Sequence, residues 1–170
     1  MSKELPLRVT ARVVIVKNGR ICLGRVWNEH GRIAHYCFPG GVVERGATMI
    51  QTLQQESLEK VGMRLRNIEK LPLVTETVTA DHAPLQDKLY RGTVIHYFRA
   101  EWDRYDNTLR NAVSDAMHYT WELPRSALRI IEAGPRDPLN DSRIQAMRMA
   151  LTNTLKSITP EVGASDEVTA

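Results

Sequence analysis

Cysteine is scarce: Cys22 and Cys37 are the only two, and they make no metal-ligand spacing. A cysteine-built metal site is thereby excluded, and two buried thiols in a reducing compartment are expected in preference to a disulfide. Long apolar runs are missing as well. No stretch approaches the ~18 residues that a membrane-spanning helix needs, so no membrane partner is expected. The opening Met1-Ser2-Lys3-Glu4-Leu5-Pro6 has no apolar signal-peptide core, and the expected location is cytoplasmic. Nor does charge of one sign dominate: 23 Lys and Arg stand against 20 Asp and Glu, a net charge of +3. That balance suits nucleotide ligands and is too weak to argue for nucleic acid alone. No internal repeat and no linker divides the 170 residues, a length that suits one domain with a full-sized core. The five histidines are scattered without helical metal spacing and read as surface or core residues.

What is present reads as alternating strand and helix. Val9 to Val16 is β-branched, Asn18-Gly19 is a two-residue hairpin signal, and Ile21 to Val26 is the return strand. Trp27 to Ala34 reads as a loop and His35 to Phe38 as a short strand stopped by Pro39. Ala47 to Val61 lacks Gly and Pro and sets Ile50, Leu53 and Val61 near one face, which predicts a helix. Thr48 or Gly46 stands near its start, and Gly62 is its terminator. Extended segments follow at Arg66 to Ala80, Leu89 to Ala100 and Met117 to Trp121, with Trp102 to Ala112 as an irregular connection. Pro124 opens a short helix reaching Ile131. Asp141 is the expected cap of a last helix, on which Ile144, Met147, Leu151, Leu155 and Ile158 repeat every three or four residues. One domain over 1–159 and a disordered acidic tail over 160–170 are expected.

The chemistry is concentrated in Phe38-Pro39-Gly40-Gly41-Val42-Val43-Glu44-Arg45-Gly46 and Gln55-Glu56-Ser57-Leu58-Glu59-Lys60-Val61-Gly62-Met63. Gly40-Gly41 predicts a tight turn where the backbone approaches an anion or a metal. Glu56, Glu59 and Lys60 fall three or four apart and share one helix face. Carboxylates so grouped suit hard cations and the activation of water. Arg12, Arg25, Lys88 and Arg91 are candidate phosphate contacts by residue type. Trp27, Tyr36, Tyr90 and Tyr97 are candidates for stacking on a base, with core packing the commoner role.

These residues resemble the Nudix signature, G-x5-E-x7-R-E-U-x-E-E-x-G-U, where U is a bulky aliphatic. With Gly41 in the first place, Glu56, Glu59, Gly62 and Met63 match. Ala47, Gln55, Ser57 and Lys60 stand where the acidic residue, the Arg, the aliphatic and a second Glu are found. The resemblance covers residues 8 to 158 and implies an α/β/α sandwich with a mixed sheet. It implies a hydrolase of a nucleoside diphosphate linked to another moiety, using Mg²⁺ or Mn²⁺ and weakened by the altered signature. Glu56, Glu59 and Asp115, which stands six places before Trp121, are then the catalytic candidates. Glu44, Glu56 and Glu59 are the metal candidates, and Gly40, Gly41, Arg25 and Lys60 the substrate candidates. Two other readings stay open: a nucleotide- or RNA-binding module without turnover, and a hydrolase of sugar nucleotides or capped RNA ends. Many relatives are dimers, so a homodimer is among the expectations. Lys60 has two readings as well, a helix ion pair that replaces a metal or a contact to substrate phosphate.

Overall fold

The computed structural model describes residues 5–79, 90, 92–109 and 117–158. Among these residues, seven strands and three α-helices follow one another as β1 (Leu7–Lys17), β2 (Arg20–Trp27), β3 (Ile33–Cys37), β4 (Gly40–Val42), α1 (Met49–Glu56), β5 (Met63–Thr79), β6 (Gly92–Tyr105), β7 (Met117–Glu122), α2 (Pro124–Glu132) and α3 (Pro138–Ile158). A π-helical turn, Ser57–Val61, continues α1. The sheet is mixed, as expected: β1 is parallel to β6 and antiparallel to β2 and β4. No helix among the described residues is long and apolar enough to cross a membrane. Asp115, Lys88, Arg91 and the 160–170 tail lie outside the described residues.

A parting of two strands creates the frame for the site. Asn18 and Gly19 adopt φ of 48° and 73°, the left-handed pair that a tight hairpin turn requires. β1 and β2 then pair only at the base of that hairpin, Val16 with Ile21 and Lys17 with Arg20. Further on, β2 pairs with β3 from Gly24 to Trp27, while β1 pairs with β4 through Thr10, Ala11 and Arg12. The chain from Cys37 to Val42 thus crosses from β2 to β1 in the gap. The Val13 N–H donates to the Pro39 carbonyl at 2.9 Å and pins the crossing.

Alternation along the strands loads both sheet faces. Val14, Ile21, Leu23 and Phe38 pack with Ile131, Met147 and Leu151 of α2 and α3. Val13, Ile15, Cys22 and Phe98 pack on the other face with Leu53 of α1 and Met63. Both cysteines are free and buried, as their scarcity predicted.

Several boundaries differ from the sequence reading, each for a physical reason. Gly40-Gly41 is not a tight turn but part of β4, since both residues pair with β1. The first helix starts at Met49, where a Thr48–Gln51 capping box satisfies its first turn. Its buried face is centred on Thr52 and Leu53, which leaves Ile50 on the rim at 44% exposure rather than in the core. Trp102–Tyr105 extends β6 instead of forming a loop, because Leu65 of β5 pairs with Trp102 and Lys17 stacks on both rings. The last helix is capped by Asp137, whose Oδ1 accepts from Asn140 N at 2.9 Å, and not by Asp141. Pro138 then takes the first helical place, where a missing N–H carries no penalty.

Candidate active site

Two glycines let α1 and β1 meet. Gly40 has φ of 153°, and a Cβ there would lie 2.0 Å from the Ala11 carbonyl oxygen. A Cβ on Gly41 would lie 2.5 Å from the Glu56 carboxyl carbon. Neither place accepts a side chain without movement, so backbone and carboxylate share one narrow volume.

Lys60 enters that volume from the π-turn. Its Nζ lies 2.6 Å from Glu56 Oε2 and donates to the Gly40 carbonyl oxygen at 3.0 Å. Glu56 Oε2 is buried, and the ammonium approaches it outside hydrogen-bonding angles, so the contact is an ion pair rather than a directed bond. Arg12 approaches the same segment from β1. Its Nη1 donates to the Phe38 oxygen at 3.2 Å and to the Gly40 oxygen at 3.4 Å. The Gly40 oxygen therefore receives two cations, one for each of its lone pairs. Gly62 closes the π-turn in the left-handed conformation, φ 65°, and its N–H bonds to the Ser57 carbonyl. Widened turns of this kind are frequent at functional sites. Ser57 itself is fully buried, and its hydroxyl has no partner among the described residues.

The surrounding groups make the neighbourhood of β3 and β4 cationic. Burial pushes the Cys37 thiol up, while the charges of Arg12, Arg143 and Lys60 pull it back. Three positive side chains thus bear on the end of β3. His35 is held down at about 4 by burial, then by Arg143 and Arg12, with Asp137 opposing. Arg143 donates to Asn140 Oδ1 at 3.2 Å, and Asn140 reaches the Ala34 carbonyl at 3.3 Å, which ties α3 to β3. Burial also raises the Tyr119 phenol, with Cys37, Cys22 and Glu56 adding to the effect in part against Arg12.

Of the residues singled out in the sequence, Gly40, Gly41, Glu56 and Lys60 come together. Glu59 does not join them through any described contact; it accepts from the neutral Gln55 side chain one turn earlier. Glu44 is exposed in the turn closed by Ala47 N and its own carbonyl. Arg25 is held by Glu122 at 3.1 Å and by Thr120, on β7. Arg12 was only one of several basic candidates. Its signal was a charge inside the apolar run Val9–Val16. Tyr119 carries no signal in the sequence, because a tyrosine in a strand is ordinary.

The chain belongs to the Nudix family: the model of the NUDIX domain matches residues 6–140. Solved structures agree on the fold. A NUDIX hydrolase from Nitrosomonas europaea is 18% identical over 84% of this chain and 88% of its own, with a TM-score of 0.55. An ADP compounds hydrolase is 16% identical over 86% and 75%, with a TM-score of 0.59. The mutator MutT protein from Bacillus halodurans is 16% identical over 82% and 80%, with a TM-score of 0.56. No curated protein matches the chain in sequence.

Nudix hydrolases generally need a divalent metal. The described donor set does not fit one. No three of His, Cys, Asp or Glu among the described residues converge to hold a cation. Glu56 is already paired with an ammonium, and the Gly40 oxygen is already shared by two donors.

Proposed function

We propose that this Nudix-family chain binds a nucleoside diphosphate linked to another moiety at the Gly40–Gly41 segment and hydrolyses the diphosphate slowly. The observation that carries the reading is the convergence of Lys60 and Arg12 on the Gly40 carbonyl, with Glu56 beside Lys60 and Gly41. Two cations against one carboxylate favour a doubly charged diphosphate. The structural relative named for ADP compounds supports an ADP-like half. Turnover is slow because Glu56, the carboxylate beside Gly41, is paired with Lys60 and must leave that pair before it can take a proton from water. Among the described residues, the oxygens that Mg²⁺ or Mn²⁺ would need here are taken by Lys60 and Arg12. A cytoplasmic location accords with the two unoxidised cysteines.

The binding-only reading is favoured by the same Lys60–Glu56 pair. The two are separated by product analysis on ADP-ribose, ADP-glucose and diadenosine diphosphate, with wild type beside Glu56→Gln. Slow release of AMP by wild type, absent in Glu56→Gln, supports hydrolysis. Binding with equal, background release in both proteins supports the binding-only reading. Absence of binding to every compound rejects both.

A further inference from the structure

We propose that the Lys60 ammonium is a tethered cation that occupies the place of a divalent metal, so that diphosphate is bound at the Gly40 loop without metal. The inference rests on the diphosphate-binding reading above and goes beyond it by naming the counter-charge. Three observations carry it. Lys60 Nζ lies between two oxygens, Glu56 Oε2 at 2.6 Å and the Gly40 carbonyl at 3.0 Å, as a bound cation would. Arg12 fills the remaining lone pair of that carbonyl, at 3.4 Å. Gly41 has no side chain, and any Cβ there would strike the Glu56 carboxylate, so the pocket is fitted to this ion pair.

Charge decides the outcome. Glu56, Lys60 and Arg12 sum to one positive charge at the loop, which repels a dication and attracts a diphosphate. A dication could enter only after Lys60 left, and Lys60 would then lose both oxygens. The ammonium also has three donors. With one spent on the Gly40 oxygen and the carboxylate beside it, the side chain still has hydrogens to offer to a phosphate oxygen on its exposed side. Lys60 is 36% exposed, which leaves that approach open.

The test has two arms on the full chain. In the first, Mn²⁺ is titrated and free ion followed by electron paramagnetic resonance, on wild type, Glu56→Gln, Lys60→Glu and the double variant. Wild type is expected to show no Mn²⁺ binding that depends on Glu56. Lys60→Glu is expected to gain one site, at least about tenfold tighter than anything in wild type, which the double variant lacks. In the second arm, ADP is titrated in excess EDTA and again in Mn²⁺, with Lys60→Met as a folded, uncharged control should Lys60→Glu not fold. ADP is expected to bind equally in both buffers, and Lys60→Met to bind about tenfold more weakly in EDTA. Glu56-dependent Mn²⁺ binding in wild type, or ADP binding that vanishes in EDTA, overturns the proposal. Failure of ADP to bind in either buffer rejects the diphosphate reading, while the Mn²⁺ arm still decides who holds the cation place.

Discussion

Gly41 and Glu56 share one volume: a methyl group on the glycine would lie 2.5 Å from the carboxyl carbon of the glutamate. The two adjacent glycines, Gly40 and Gly41, therefore respond differently to alanine. At Gly41 the obstacle is the far end of a flexible side chain, which can move. Gly41→Ala is expected to displace the carboxylate from Lys60 and weaken ADP binding, with a stability change within about 1 kcal/mol. At Gly40 the obstacle is the Ala11 backbone at 2.0 Å, in a backbone conformation that side chains rarely adopt. Gly40→Ala is expected to cost about 3 kcal/mol or more. Urea unfolding of both variants checks the contrast, and equal losses would contradict it.

Ser57 stands where the Nudix signature has an aliphatic residue, and its buried hydroxyl has no partner among the described residues. A buried hydroxyl without a hydrogen bond costs about 1–3 kcal/mol. Ser57→Ala is therefore expected to raise the unfolding midpoint, measured by thermal or urea denaturation. A lower midpoint would show that the hydroxyl has a partner after all, or that its volume matters more.

Much of the fold could be read from local signals, because those signals are local in origin. Asn18-Gly19 sets a hairpin whatever surrounds it, and Pro124 opens a helix for the same kind of reason. The π-turn at Ser57–Val61 has no comparable local signal in the sequence. Spacing alone brought Glu56 and Lys60 to one side of the helix, and the structure pairs them. Glu59 has the same spacing advantage and instead pairs with Gln55. What spacing cannot supply is the contribution of the paired strand. Arg12 reaches the Gly40 carbonyl only because β4 is antiparallel to β1, with Arg12 opposite Gly40.

His35 supplies a pH dependence whose sign follows from its surroundings. Burial and the charges of Arg143 and Arg12 hold it down at about 4, against 6.5 for an ordinary histidine, with Asp137 opposing. Between those values the unfolded chain carries a proton there that the folded chain refuses. Stability from this residue is thus full above about 6.5 and is lost as pH falls to about 4, by up to roughly 3 kcal/mol. Urea unfolding at pH 7, 5.5 and 4.5 should show a steeper fall in wild type than in His35→Gln. Parallel curves for the two proteins would contradict the assignment.

Lys17 closes the hairpin end of the sheet. Its ammonium sits 4.3 Å from the Tyr105 ring centre, 4.5 Å from Trp102 and 5.5 Å from Trp121, and donates to the Tyr105 hydroxyl at 2.7 Å. Lys17→Met keeps the aliphatic stem and removes the charge. It is expected to destabilise by about 1 kcal/mol while leaving ADP binding unchanged, since the cage and the Gly40 loop share no residue. Calorimetric titration beside urea unfolding checks both halves.

The central claim is that Lys60, and not a metal, neutralises Glu56 at the Gly40 carbonyl. Anomalous difference density from a crystal grown in excess Mn²⁺ tests it most directly. The account predicts no peak within bonding distance of the Gly40 oxygen and Glu56, with Lys60 still in place, and a peak there in Lys60→Glu. A Mn²⁺ peak in wild type, bound by Glu56 and the Gly40 oxygen with Lys60 swung aside, would contradict it.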